Sequence, residues 1–316
     1  MRSETVGRNP KDDSSGKESF SYVMIEIHAD DFGISPGASE QIIDCINNGC
    51  VNGTSIMPNS PYLPECMELL WRDCRKEVFL SVHFDLITGH ALTGRSILTD
   101  GEGYFNTSYS GYILNLFLPF YRRKYLAAVK KELSAQLDRC LPYLDRERIR
   151  IDSHRHVHMI PAVFSLIMEL IEEKNLRLSY IRITSDAPYA FRGIGHFTGF
   201  RPLNIIKSLL LFAFGVINLF RFGNRLKGKT ADFAGILFSG ALTPGNLRNI
   251  LNNRLHQRAA KRGLEIMIHP YRITEKEVLE RIHDAEDRAY VASKMRSLEI
   301  EAVKNPGNIE LLKKLS

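Results

Sequence analysis

Short runs rich in β-branched and aromatic residues alternate along this chain with longer stretches of helical period. The alternation predicts strands at Tyr22–His28, Thr54–Met57, Val78–Phe84, Ile149–Asp152, Tyr180–Thr184, Ala234–Ser239 and Leu264–His269. The clearest helix between them is Pro161–Lys174, where Val163, Leu166, Ile167, Leu170 and Ile171 share one face behind a proline suited to the first position. Ser35 and Pro36 read as an N-cap followed by its proline, opening a helix that ends at Gly49. Seven strands separated by helices imply parallel β-α-β units, and therefore a doubly wound sheet or a barrel.

Two segments break the rhythm. Asp85–Ala127 is long and rich in Gly, Thr, Tyr and Phe, the kind of insertion that shapes a substrate cleft. Leu203–Phe222 holds an almost unbroken apolar run flanked by Lys207 and Arg221. Such runs usually form buried helices; the sharper reading is peripheral membrane contact, with the cations near lipid headgroups. No stretch reaches the roughly 20 apolar residues of a spanning helix.

Composition narrows the class. The 316 residues are 44% apolar and 25% charged, an ordinary balance for a globular enzyme. A net charge of +6, without a dense basic stripe, argues against a nucleic-acid partner. Five cysteines (Cys45, Cys50, Cys66, Cys74, Cys140) with no C-x-x-C pair argue against a disulfide scaffold and for a reducing, cytoplasmic setting. Residues 1–20 are polar with no apolar signal core and read as a disordered tail. A single domain is then expected over 21–305, followed by a C-terminal tail over 306–316. Oligomeric state has no signature here.

The chemistry gathers at strand ends, where barrels and open α/β sheets place their active sites. Four clusters fall there: His28-Ala-Asp30-Asp31-Phe-Gly33, Ser81-Val-His83-Phe-Asp85, Asp152-Ser-His154-Arg155-His156-Val-His158, and Ile268-His269-Pro270. Asp30 and Asp31 would face opposite sides of a regular strand, so both enter one site only where the chain turns, as at Phe32-Gly33. A solvated loop pair is the plain alternative. His83 and His269 each have an ordinary structural reading as satisfied histidines. The spacing of His154, His156 and His158 puts all three on one side of an extended segment, and Asp152 is placed to orient an imidazole from behind. One Asp and two His leave open positions on a cation such as zinc.

In order and spacing these clusters resemble the YdjC-like carbohydrate deacetylase family. The matching stretches are Ala29-Asp-Asp-Phe-Gly-Ile-Ser35, Val51-Asn-Gly-Thr-Ser-Ile-Met-Pro-Asn59, Val82-His-Phe-Asp-Leu-Ile-Thr-Gly-His-Ala-Leu92, Asp152-Ser-His-Arg-His-Val-His-Met-Ile-Pro161 and Glu265-Ile-Met-Ile-His-Pro270. The resemblance implies an irregular TIM-like (β/α) barrel of about seven parallel strands, one divalent cation (Mg2+ or Zn2+), and removal of an N-acetyl group from an amino sugar. It implies Asp31, His83 and His154 as metal ligands, Asp30 as general base and His269 as the acid or its support. Asp152, His156, His158 and Arg155 are left to substrate or ligand support. Arg155 stands where some relatives have another His, and the apolar Leu203–Phe222 looks closer to relatives tied to lipid-linked or hopanoid pathways. The same ligands would suit a phosphoesterase or another amide hydrolase, and a silent glycan- or lipid-binding protein is the non-enzymatic competitor.

Overall fold

The computed structural model describes residues 24–193, 202–257, 262–280, 282–283 and 285–315. The expected tail over 1–20 lies outside them, as do the first residues of the first expected strand.

All seven strands form: β1 (Ile25–Phe32), β2 (Gly53–Ile56), β3 (Phe79–Phe84), β4 (Ile149–Ser153), β5 (Leu178–Ile181), β6 (Asp232–Ala234) and β7 (Leu264–Ile268). They lie in the order β5-β4-β3-β2-β1-β7-β6, and every pairing is parallel. The two ends of that sheet approach each other. An isolated parallel bridge joins Asp186 to Phe233, and the Ile181 amide donates to the Lys229 carbonyl at 2.9 Å. The sheet therefore curls into an irregular TIM-like barrel with one thinly stitched seam.

Helices α1 (Pro36–Asn48) and α2 (Leu63–Asp73) follow β1 and β2; α3 (Tyr109–Phe117) and α4 (Pro119–Cys140) follow β3. Next come α5 (Pro161–Glu173), α6 (Pro202–Leu226) and α7 (Pro244–His256), after β4, β5 and β6. Four more close the chain: α8 (Lys276–Glu280), α9 (Ala285–Ala292), α10 (Arg296–Lys304) and α11 (Pro306–Leu315). Ser35 caps α1 as expected, its hydroxyl accepting from the Ala38 amide at 3.2 Å. The five cysteines are free thiols.

Several expectations need correcting. β6 ends where the expected strand Ala234–Ser239 began, because the Asp186 carboxylate takes the amides of Gly235, Ile236 and Leu237 and pulls them off the ladder. β5 stops at Ile181, before the expected Thr184, where the Thr184 amide turns to the Met159 sulfur. Residues 306–315, read as tail, form α11; its Asn308 side chain is buried and donates to Pro244 and Ala302 carbonyls. The default reading of Leu203–Phe222 as a buried helix also fails. α6 turns much of its apolar surface outward, with Leu203 70% and Phe220 91% exposed, and its length and composition would suffice to cross a membrane.

The barrel's interior is ionic. On β1, Ile25, Ile27 and Ala29 join the apolar core, while Glu26, His28 and Asp30 alternate with them and meet charged partners from other strands. Arg150 of β4 donates to Glu26 at 2.5 Å. Arg182, just past β5, reaches Asp30, Asp152 and, on β7, Glu265. Buried charges persist only when paired in this way.

Candidate metal centre and active site

Asp31 sits in the left-handed region, at φ 69°, and the β1–β2 register slips between Ala29 and Phe32. This is a bulge with one extra residue on β1, which turns two successive carboxylates toward the same end of the barrel. The expected turn at Phe32-Gly33 forms, with Gly33 at φ 94° and the Ile34 amide donating to the Asp31 carbonyl at 3.1 Å. The bulge at Asp31, a residue type that tolerates this conformation, comes just before it.

Three side chains meet there. One Asp31 oxygen lies 3.2 Å from His83 Nε2 and 2.9 Å from His154 Nδ1. One donor atom from each of Asp31, His83 and His154 lies within 4.8 Å of the others. Behind His83, Asp152 holds Nδ1 at 2.6 Å, with the Ser55 hydroxyl at 2.9 Å. Nε2 is thereby pointed at Asp31. A carboxylate seated behind an imidazole in this way fixes the ring and raises its basicity as a ligand. The other Asp31 oxygen accepts from the Tyr271 hydroxyl at 2.6 Å.

Burial alone would lower the His83 pKa, but Asp152, Asp30 and Asp31 outweigh it and push His83 up to about 10. His154 is raised likewise against its burial, by Asp31 and then Asp85. Asp31 itself is held well below the usual carboxylate range, its desolvation overcome by the charge and hydrogen bonds of His154 and His83. The pocket draws positive charge onto these atoms. One carboxylate and two imidazoles in such surroundings fit a divalent cation.

A second cluster of His28, Asp30 and Asp152 lies deeper and is equally close-knit. Arg182 already answers its charge, donating to both Asp30 oxygens at 2.8 Å and lying 3.2 Å from Asp152. Asp30 is thus a clamped carboxylate beside Asp31.

The other expected residues separate. Residues 154–159 are not extended. Arg155 and His156 both take positive φ (48° and 62°) within a 3-10 turn, which destroys the expected common side of the three histidines. Only His154 reaches Asp31. His156 is buried, and desolvation with Lys207 and Arg182 nearby keeps its pKa far below the usual range. His158 ties the fold together, with Nδ1 at 2.5 Å from the Ser153 hydroxyl and Nε2 at 2.9 Å from the Arg182 carbonyl. Arg155 pairs with Asp287 of α9, beside His154. His269 stands with Nε2 3.9 Å from Asp31. Burial and the Arg296 charge push His269 down to about 3, so it is neutral near pH 7.

Above the cluster opens a cleft of about 1000 Å³, lined among others by Asn59, Thr88, Tyr104, His154, Arg155 and Asp287. The β3–α3 insertion supplies much of its wall, as its composition suggested. Tyr104 is stacked between His90 and His283, with ring centroids 3.6 Å and 3.7 Å away, so the insertion touches the loop after α8.

The model of the family described as YdjC-like protein matches residues 24–314. The chain belongs to the YdjC-like family. Curated relatives of this YdjC-like chain include proteins named chitooligosaccharide deacetylase from Yersinia pestis and Yersinia pseudotuberculosis. Both are 31% identical over 160 residues, which is 49% of this chain. The matched region spans only 58% of those relatives' own length. A solved structure from Enterococcus faecalis, of a protein named for cellobiose-phosphate cleavage, superposes with a TM-score of 0.62 at 18% identity, covering 92% of this chain and 94% of that one. That likeness concerns the fold of the YdjC-like chain alone.

Arg182, Tyr271 and Asp287 touch site residues, Glu265 holds Arg182, and all four were missed in the sequence. Arg182 and Glu265 had a signal, since each interrupts an apolar strand at an inward position. Tyr271 and Asp287 had none.

Proposed function

We propose that this protein is a metal-dependent hydrolase that removes an N-acetyl group from an amino sugar. The observation that carries the reading is the meeting of Asp31, His83 and His154, with His154 lining the cleft, Asp30 alongside and Asp152 behind His83. Asp31, His83 and His154 would hold the cation, which would supply Lewis acidity to an acetamide carbonyl and to water. Asp30, held through both of its oxygens by Arg182, would take the proton of the attacking water on a lone pair that Arg182 leaves open. His269, neutral at rest, would donate or accept a hydrogen bond at the reacting amide, and as general acid it must first gain a proton within the complex. Arg155, held by Asp287 on the cleft wall, would contact the sugar. The names of the Yersinia relatives support an acetylated sugar as substrate.

The test is acetate release from N-acetylglucosamine oligosaccharides by purified protein of known metal content, with a phosphodiester as control. Asp30→Asn should keep its metal and lose about 10²- to 10⁴-fold in turnover, the usual worth of a positioned base. His83→Ala should lose both metal and turnover. Phosphate release without acetate release would reject the reading in favour of a phosphoesterase. A folded protein unable to take up metal would leave only a binding role.

A further inference from the structure

The outer face of α6 has no part in the chemistry above. Its 25 residues make a rod of about 37 Å at 1.5 Å per residue. The inner side is fixed to the barrel rim. Gly215 lies against Ile183 and Met159, whose side chains come within 3.3 and 3.6 Å of where a Cβ would sit; Asn218 donates to the Met159 carbonyl at 2.8 Å; and Phe222 packs on Phe164. The outer side presents Leu203, Ile206, Leu209, Phe212, Val216 and Phe220, each more than half exposed. An unbroken apolar stripe of that length is more than a monomer normally leaves in water.

Charge decides what covers it. Residues 202–231 contain Lys207, Arg221, Arg225, Lys227 and Lys229 and not one Asp or Glu, so nearly all of the chain's net +6 gathers here. Lys207 is turned inward, toward Arg155, Asp186 and Asp287, and Arg225 reaches Glu172 of α5 at 2.5 Å. Arg221 and Lys227 stand exposed at the end of the stripe. A two-fold dimer through this face would set the same patch against itself, bringing cations from both copies and no helix acid to meet them. A surface that is apolar at its centre and anionic around it complements both properties of α6 at once.

We propose that α6 is an interfacial helix that seats this protein on a bilayer surface rich in anionic lipid. The apolar stripe lies at the boundary of headgroups and acyl chains, and Arg221 and Lys227 meet lipid phosphates. α6 remains docked on the barrel, since crossing the bilayer would strip Gly215 and Asn218 from their seats. The contacts of α6 with Met159 and Ile183, just past the ends of β4 and β5, place the membrane beside the cleft mouth, whatever reaction the cleft performs.

The test is flotation of the full chain with vesicles of phosphatidylcholine containing about one-third phosphatidylglycerol, against phosphatidylcholine alone. The wild type should float with the anionic vesicles and lose binding in high salt. The variant Ile206→Ser with Leu209→Ser and Phe220→Ser, all at exposed positions, should stay folded by circular dichroism and cease to float. Arg221→Glu with Lys227→Glu should weaken binding by about tenfold or more, since each cation near the surface is worth about 1 kcal/mol. Absence of flotation by folded wild type overturns the proposal. A dimer in light scattering that the serine variant splits would then identify the face as a self-interface. Resistance of the expressed chain to alkaline carbonate extraction overturns it in the other direction, in favour of a spanning helix.

Discussion

At the scale of single residues, the site rests on backbone conformations that few side chains accept. Asp31 holds φ 69° in β1. Asn tolerates that region almost as well as Asp, while β-branched residues do not. Asp31→Asn should therefore fold normally, and loss of its charge should abolish metal uptake and acetate release. Asp31→Val should in addition lose about 1–3 kcal/mol of stability, the usual cost of a strained backbone position. Urea unfolding of the two metal-free variants separates the effects, and equal stability would show that the strain is absent. The acidic pair and His83 were legible in the sequence because each ends a strand. The fate of His156 and His158 was not, because period-two reasoning assumes an extended chain and Arg155-His156 leaves it. Arg182 was legible in principle: a charged residue at an inward position beside Ile181 and Ile183 can survive only against buried acids.

At the scale of elements, one carboxylate reinforces the backbone links across the seam between β5 and β6. Asp186 accepts three successive amides, at 2.8 to 3.1 Å. Burial nevertheless outweighs those donors and pushes its pKa from 3.8 up to about 6. An acid raised in the folded state binds its proton more tightly there than in the unfolded chain. Its contribution to stability therefore falls as pH rises from the unfolded value through about 6, and levels off above. Two pKa units correspond to roughly 3 kcal/mol. The stability of wild type relative to Asp186→Asn should decline by about that order across the window, measured by denaturant titration at several pH values. A difference that stays flat would mean the carboxyl is well solvated. The seam also shows why β6 was misplaced in the sequence. Ile236 and Phe238 look like strand residues because they are apolar and buried, but they are buried in a turn organised by a side chain about fifty positions earlier.

Across the whole molecule, hydrophobic material lies between barrel and helices, while charge fills the barrel. Four of the five thiols belong to the apolar layer: Cys45, Cys50, Cys66 and Cys140 are buried, and Cys74 is partly exposed. Desolvation pushes Cys45 and Cys50 up to about 12 and Cys66 up to about 11, so few thiolates form near pH 8. A thiol-specific reagent should modify Cys74 first in the native protein and reach all five only after denaturation, as counted by mass spectrometry. Rapid native labelling of Cys140 would contradict the packing of α4 against α5. The parallel β-α units were readable from alternation alone because each repeats one local pattern, whereas alternation left open sheet and barrel undecided and only the family resemblance pointed to the barrel. The C-terminal helices that bring Asp287 and Arg296 to the site follow no such repeat, and no motif marked them.

The surplus residue in β1 has a consequence for how the sequence can vary. Deleting either aspartate would leave one acid in its neighbourhood and also restore the strand's phase, so the survivor could occupy only one of two addresses: on the Arg182 clamp or between His83 and His154. A division of labour between neighbouring acids is thus written in the spacing of the backbone. A deletion there would be felt as the loss of one of the two tasks, even though a carboxylate remained.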